Sequence, residues 1–127
     1  MCGIFGVVGV RKAAELTVIG LHGNQHRATD YAGIVSSDGS RFYREGGAGL
    51  VRQIFTKEKI DGLHGKDALG HIRYPTVTDD ETCENIQPIL GSYAGMPVAI
   101  AHNGNLTNTE ELAKLVPASR LLPSMDT

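Results

Sequence analysis

The sequence predicts an α+β domain built on mostly antiparallel sheets, and three observations lead there. Strand-like segments outnumber helical ones, they fall in adjacent pairs, and sharp-turn dipeptides separate the members of two pairs. The chain has 127 residues, 41% of them hydrophobic and 20% charged. That length suits a single domain, which buries about two-thirds of the unfolded chain's surface.

Gly3 to Val10 is a glycine-punctuated, β-branched run with apolar residues on both faces, so it reads as a buried strand. From Arg11 to about His26 the period becomes helical, with Ala14, Val18 and Leu21 on one stripe. Gly20 and Gly23 weaken that helix. Ala32 to Ser37 and Arg41 to Arg44 form a hairpin around Asp38-Gly39. Leu50 to Leu63 has helical spacing in two short pieces. Lys66 to Tyr74 is a strand stopped by Pro75, and Thr76 to Asn85 an acidic, polar loop. Gln87 to Ser92 and Val98 to His102 are strands on either side of Ala94-Gly95, and Asn103-Gly104 follows as another turn signal. Thr107 with Glu110 fits a capping box for a helix running to about Val116, where Pro117 ends it. No internal repeat, low-complexity tract or linker interrupts the chain.

Composition excludes several classes of function. Twelve basic and fourteen acidic side chains give a net charge of −2, with a pI near 6.2, so neither nucleic acid nor a membrane surface is an expected partner. No apolar run reaches the ~18 residues that span a bilayer. With no basic n-region or cleavable apolar segment, a cytoplasmic protein is expected. Cys2 and Cys83 make a poor disulfide framework, and the sequon at Asn105 is expected to stay unglycosylated. The glycines at 3, 6 and 9 have the wrong spacing for a dinucleotide fingerprint, and Gly46-Gly47-Ala48-Gly49 lacks the ending of a phosphate-binding loop. His22 and His26 have metal-ligand spacing, but no third ligand follows at a compelling distance, so surface or capping roles are expected.

Three places carry chemistry. Removal of Met1 would make Cys2 the first residue, its thiol beside a free α-amine with a reference pKa of ~7.7–8.0. A nucleophile and its general base would then share one residue. On position alone, a small residue leading into a strand is the better reading of Cys2. Arg73, at the end of a strand, offers a planar fork to a substrate carboxylate, or else makes an ordinary ion pair. The Asn103 carboxamide and Gly104 N–H could converge on a developing negative charge; equally, Asn-Gly could simply be a tight turn.

Met1-Cys2-Gly3-Ile4-Phe5-Gly6, Gln25-His26-Arg27, Gly70 to Thr76, Asn85-Ile86-Gln87-Pro88 and His102 to Asn108 occur in one order. Together they resemble the class II glutamine amidotransferase domain of the N-terminal nucleophile hydrolases. Gln25-His26-Arg27 and Asn85-x-Gln87-Pro88 are most similar to its branch that aminates phosphoribosyl pyrophosphate in purine biosynthesis. The resemblance implies a four-layer αββα sandwich with two mostly antiparallel sheets, of which 1–127 would be the N-terminal part. It implies Cys2 as nucleophile, Asn103 and Gly104 as oxyanion hole, and Arg73 as clamp on the glutamine α-carboxylate with Thr76 nearby. Asp126 is similar to the residue that holds the α-ammonium, and Arg27 to a supporting residue beside the nucleophile.

The activity implied is hydrolysis of glutamine to glutamate and ammonia, the ammonia passing to phosphoribosyl pyrophosphate in the full enzyme. Hydrolysis needs no metal or other cofactor, and Mg and any iron–sulfur cluster of the full enzyme are left open. A phosphoribosyltransferase domain is missing from these residues, and the full-length form is expected to be a homo-oligomer. The ending Ser124-Met125-Asp126-Thr127 reads as a cut, so these 127 residues alone are expected to show little steady glutaminase activity. Ala28 and Thr78 stand where the family usually has glycine, and Tyr31 replaces a small residue. Ala28 would crowd the backbone if the position needs φ > 0. Ala28, Tyr31 and the truncation favour the alternative of a non-catalytic glutamine-binding or scaffold domain; a class II amidotransferase serving a different acceptor is a second alternative.

Overall fold

The computed structural model describes residues 1–74, 86–104 and 106–115. The expected loop from Thr76 to Asn85, Cys83, Asn105, Pro117 and the chain end lie outside them. Strand β1 (Gly3–Val7) leads through a turn to helix α1 (Ala13–Gly23) and a single 3-10 turn (Gln25–Arg27). Strands β2 (Tyr31–Ser37) and β3 (Phe42–Ala48) follow, then short helices α2 (Val51–Ile54) and α3 (Lys57–Gly62). Strand β4 (Asp67–Arg73), the pair β5 (Ile89–Tyr93) and β6 (Met96–Ile100), and helix α4 (Thr109–Ala113) complete the order.

The predicted α+β class and its antiparallel pairing are observed. One sheet has the order β1-β4-β2-β3 and the other is the β5-β6 pair, and every pairing is antiparallel. Register assigns the faces. Gly70 of β4 pairs with Phe5 of β1 and Ile34 of β2, while His71 pairs with Ile4 and Gly33. Because side chains alternate, Ala68, Gly70 and Ile72 share one face, and Leu69, His71 and Arg73 the other. Helix α1 covers the first: a Cβ on Gly70 would collide with Thr17 and Leu21. The core lies in this layer, where Ala13, Leu21, Ala32, Ile34, Val51 and Ile72 are buried together.

The second face receives the segment before β5. A Cβ at Gly33 would collide with the Gln87 carbonyl, so glycine is what lets that backbone lie flat on the sheet. The Arg44 guanidinium donates to the Ile86 carbonyl from β3 and fixes the same segment. A cavity of about 260 Å³ extends between the sheets, lined by Val7, Val35, Leu69 and Ala99. The described residues thus form a helical layer, a four-stranded sheet and a two-stranded sheet beyond it.

Both hairpins form at the expected turns. Ser37 pairs with Phe42 across a loop in which Gly39 has φ 90°. The Asp38 carboxylate accepts the Tyr43 hydroxyl and the N–H groups of Ser40 and Arg41. These bonds, the one from Tyr43 foremost, hold its pKa down at about 2. In the second hairpin Ala94 and Gly95 have φ of 51° and 80°, the left-handed pair of a two-residue turn.

Three expectations are corrected. Among the described residues β1 is not buried on both faces: it lies at an edge of its sheet, and Ile4 and Phe5 are each 37% exposed. Its apolar pattern reflects one covered face, where the Phe5 ring occupies the space that a Gly20 side chain would need. Gly20 therefore admits the strand instead of merely weakening the helix. α1 is also shorter than read, because Lys12 adopts φ 67° before it and the 3-10 turn follows it. Lastly, the capping box at Thr107 does not form. The N-cap is Asn108, without a side-chain cap, and the Thr109 hydroxyl donates back to the Leu106 carbonyl.

Candidate active site

The 3-10 turn after α1 brings a cation to the start of β1. Gln25 anchors it: its Oε1 accepts the Val51 N–H at 2.8 Å and its Nε2 donates to the Ala28 carbonyl at 2.5 Å. Arg27 is thereby aimed at the N-terminal segment, and its Nε donates to the Cys2 carbonyl at 2.9 Å. The same carbonyl accepts a second bond from Asn103 Nδ2 at 3.1 Å, across 101 positions of sequence. A carboxamide nitrogen carries two N–H groups, so one bond to Cys2 leaves Asn103 a second donor direction. Cys2 is half-buried, and Met1 before it is 81% exposed, with its ammonium 3.5 Å from the Arg27 carbonyl.

Of the residues singled out from sequence, the fold brings Cys2, Arg27 and Asn103 into direct contact. Gly104 follows Asn103, and its Cα lies against the His102 ring so closely that a Cβ would collide with it. Neither Asn103 nor Gly104 has positive φ. A two-residue hairpin turn of the kind Asn-Gly favours needs positive φ at both central residues, so that hairpin turn does not form at Asn103-Gly104. Arg73 is half-buried at the last position of β4. β1 pairing ends at Gly3 opposite Ile72, which sets Cys2 and Arg73 as neighbours at one end of the sheet. Thr76, Thr78 and Asp126 lie outside the described residues.

Two of the departures acquire a structural reading. Ala28 has φ −160° and ψ 143°, extended backbone open to any residue, so the crowding expected of positive φ does not arise there. Tyr31 begins β2, half-buried, paired with Arg73 and Ala48. His26 Nδ1 lies 3.2 Å from the Gly23 carbonyl at the end of α1, the capping role expected of it, while His22 is exposed. Among the described residues, no three histidine, cysteine or acidic side chains cluster as a metal site would require, and no helix is long and apolar enough to cross a membrane.

His71 and Gln87 lie within the sequence motifs, with no chemical role evident there for either. His71 is 1% exposed on β4, and its Nε2 donates to the His102 carbonyl at 3.1 Å. Gln87 Oε1 accepts the His102 N–H at 2.6 Å. Both bonds end on main-chain atoms of a residue distant in sequence, so no local pattern marks them.

Burial pushes the His71 imidazole down to about 4 despite its bond to His102, with Arg73 and His102 lowering it further. The folded protein therefore keeps His71 neutral while the unfolded chain protonates it near pH 6.5. Between those values the unfolded state binds the extra proton, so stability falls as pH drops from about 6.5 to about 4. The loss attributable to His71 is expected to reach about 3 kcal/mol. Urea unfolding across this range should show it, and His71→Gln should flatten it; an equal slope in that variant would remove His71 as the cause.

No family model matches the chain. It is 44% identical over 119 residues to an amidophosphoribosyltransferase of Rhizobium etli, covering 93% of this chain and 24% of that protein. It is 46% identical over 116 residues to an amidophosphoribosyltransferase of Lacticaseibacillus casei, covering 89% of this chain and 58% of the relative. Among solved structures it matches the glutamine phosphoribosylpyrophosphate amidotransferase of Bacillus subtilis with a TM-score of 0.81 and 34% identity, covering all of this chain and 27% of that one. The chain spans about a quarter to three-fifths of these proteins' lengths.

Proposed function

We infer, from a chain related to the amidophosphoribosyltransferases along nine-tenths of its length, that these residues form the glutamine-hydrolysing site of such an enzyme. One observation carries the reading: the Cys2 carbonyl accepts from both Arg27 and Asn103, which supports pairing the candidate nucleophile with a candidate oxyanion donor.

The chemistry begins with hydrolysis of the Met1–Cys2 bond. The freed α-amine has a reference pKa of ~7.7–8.0 and takes the thiol proton at neutral pH. The thiolate sulfur bonds to the glutamine side-chain carbonyl carbon, and the carbonyl electrons move onto oxygen. Asn103 and the Gly104 N–H receive that negative charge. As the C–N bond breaks, the protonated α-amine returns its proton to nitrogen and ammonia leaves. Water, deprotonated by the same amine, then cleaves the thioester and releases glutamate. Thiol, amine and N–H donors supply nucleophile, base and charge stabilisation, so the step is proposed to need no cofactor. Arg73, with Thr76, holds the α-carboxylate, and Asp126 the α-ammonium. The ammonia is proposed to go to phosphoribosyl pyrophosphate in a phosphoribosyltransferase domain of a cytoplasmic, homo-oligomeric protein.

The test is covalent. Intact mass of the natural polypeptide should show loss of Met1, and a glutamine analogue bearing an electrophile should label Cys2 and spare Cys83. Retained Met1, or labelling centred on Cys83, would sink the reading. Arg73→Lys, which gives up the bidentate fork, should raise KM for glutamine several-fold with little change in kcat. A fall in kcat alone would move Arg73 out of the substrate-binding role.

A further inference from the structure

The residue before the proposed oxyanion donors is held at both of its main-chain polar atoms. The His102 N–H donates to Gln87 Oε1 at 2.6 Å and its carbonyl accepts from His71 Nε2 at 3.1 Å. Each holder is itself fixed. His71 is buried on the central strand β4 between Ile4 and Gly33. Gln87 is 7% exposed, with its own carbonyl pressed onto Gly33 and the preceding carbonyl bound by Arg44. Beyond this fixed peptide come Asn103, whose Nδ2 reaches the Cys2 carbonyl, and Gly104, which packs on the His102 ring. The last ordered strand of that segment, β6, ends at Ile100, so the sheet ladder does not hold residues 102–104. The two side chains do.

We propose that His71 and Gln87 are positioning residues that clamp the His102 main chain and thereby set Asn103 and the Gly104 N–H where the oxyanion of the tetrahedral intermediate forms. This rests on the glutaminase reading above. Neither residue touches substrate in this role; each acts through the His102 main chain. Oxyanion stabilisation depends steeply on donor placement, because the donors must already stand where the charge develops. A shift of about 1 Å is enough for a loss of ~10²-fold.

A step that forms no oxyanion separates positioning from mere support of the fold. In alkylation by iodoacetamide the Cys2 sulfur bonds to the methylene carbon, iodide leaves, and no charge develops on a carbonyl oxygen. In the natural polypeptide, Gln87→Met keeps side-chain length and removes the acceptor; His71→Leu removes the donor. Each should lower kcat for glutamine hydrolysis by about 10- to 100-fold. KM and the iodoacetamide rate at Cys2 should stay within about twofold, as expected when only transition-state stabilisation is lost. His71→Gln, which retains a side-chain N–H donor, should recover most of the kcat lost in His71→Leu. An unchanged kcat in Gln87→Met, or alkylation falling in step with kcat, would overturn the proposal. Should His71→Leu not fold by circular dichroism, Gln87→Met decides. Cys2→Ala, assayed alongside, separates the two failures. Hydrolysis persisting there removes the glutaminase reading itself, whereas its loss beside a fully active Gln87→Met removes only the clamp.

Discussion

Cys2→Ala in the natural polypeptide is expected to lower glutamine hydrolysis by at least about 10⁴-fold, the scale of losing the nucleophile from a unit that acts together. The α-amine, Arg27 and Asn103 all remain in this variant, and Arg27 and Asn103 bind the main-chain carbonyl of residue 2, not its side chain. Substrate binding should therefore survive, and calorimetry with glutamine should still detect it. Cys2→Ser should keep at most a trace of turnover, because a hydroxyl beside a base this weak is a far poorer nucleophile than a thiol. Ammonia release from glutamine measures both variants. Substantial turnover in Cys2→Ala would place the reaction elsewhere.

Asn103→Ala is expected to lower kcat by about 10²–10³-fold, the usual loss for one oxyanion donor, with KM changed little. The geometry adds a second expectation. The Cys2 carbonyl has two donors, and Arg27 stays after the substitution, so the nucleophile should remain in place and iodoacetamide should still alkylate it. If the variant changed KM alone, Asn103 would be a brace for Cys2 and not a donor to the transition state. Steady-state kinetics with glutamine distinguish the two outcomes.

Much of this arrangement is legible in the sequence, and the exceptions share a cause. Strand pairs and turns follow from local chemistry: Asp38-Gly39 and Ala94-Gly95 carry the backbone preferences of the turns they make. Cys2, Arg27, Asn103 and Gly104 stand out through ordered motifs, and the fold joins the first three by hydrogen bonds. What sequence does not convey is which side chain meets which distant main-chain atom. His71 and Gln87 reach His102 across 31 and 15 positions, and nothing in their neighbourhoods signals it. The exposure of β1 escapes the sequence for a related reason. An apolar run on both faces marks a central strand as readily as an edge strand against a helix, and only the β1-β4-β2-β3 order decides. At Thr107 the capping pattern is present but Asn108, a residue equally suited to the N-cap, takes that position and the helix starts at Thr109.

Among the described residues β1 is one of the two edge strands of its sheet, and this ties catalytic competence to a strand paired on one side. β1 is hydrogen-bonded to β4 on one side and, among the described residues, has no strand on the other, and strands so placed open at lower free energy than those paired on both sides. An opening that peels β1 from β4 carries the nucleophile away with it, while the β2-β3-β4 ladder and the core beneath α1 stay closed. Heating would therefore silence the site before it melts the domain. Exchange of the β1 amides that donate to β4, more than the global transition, would report the temperature at which the site is lost.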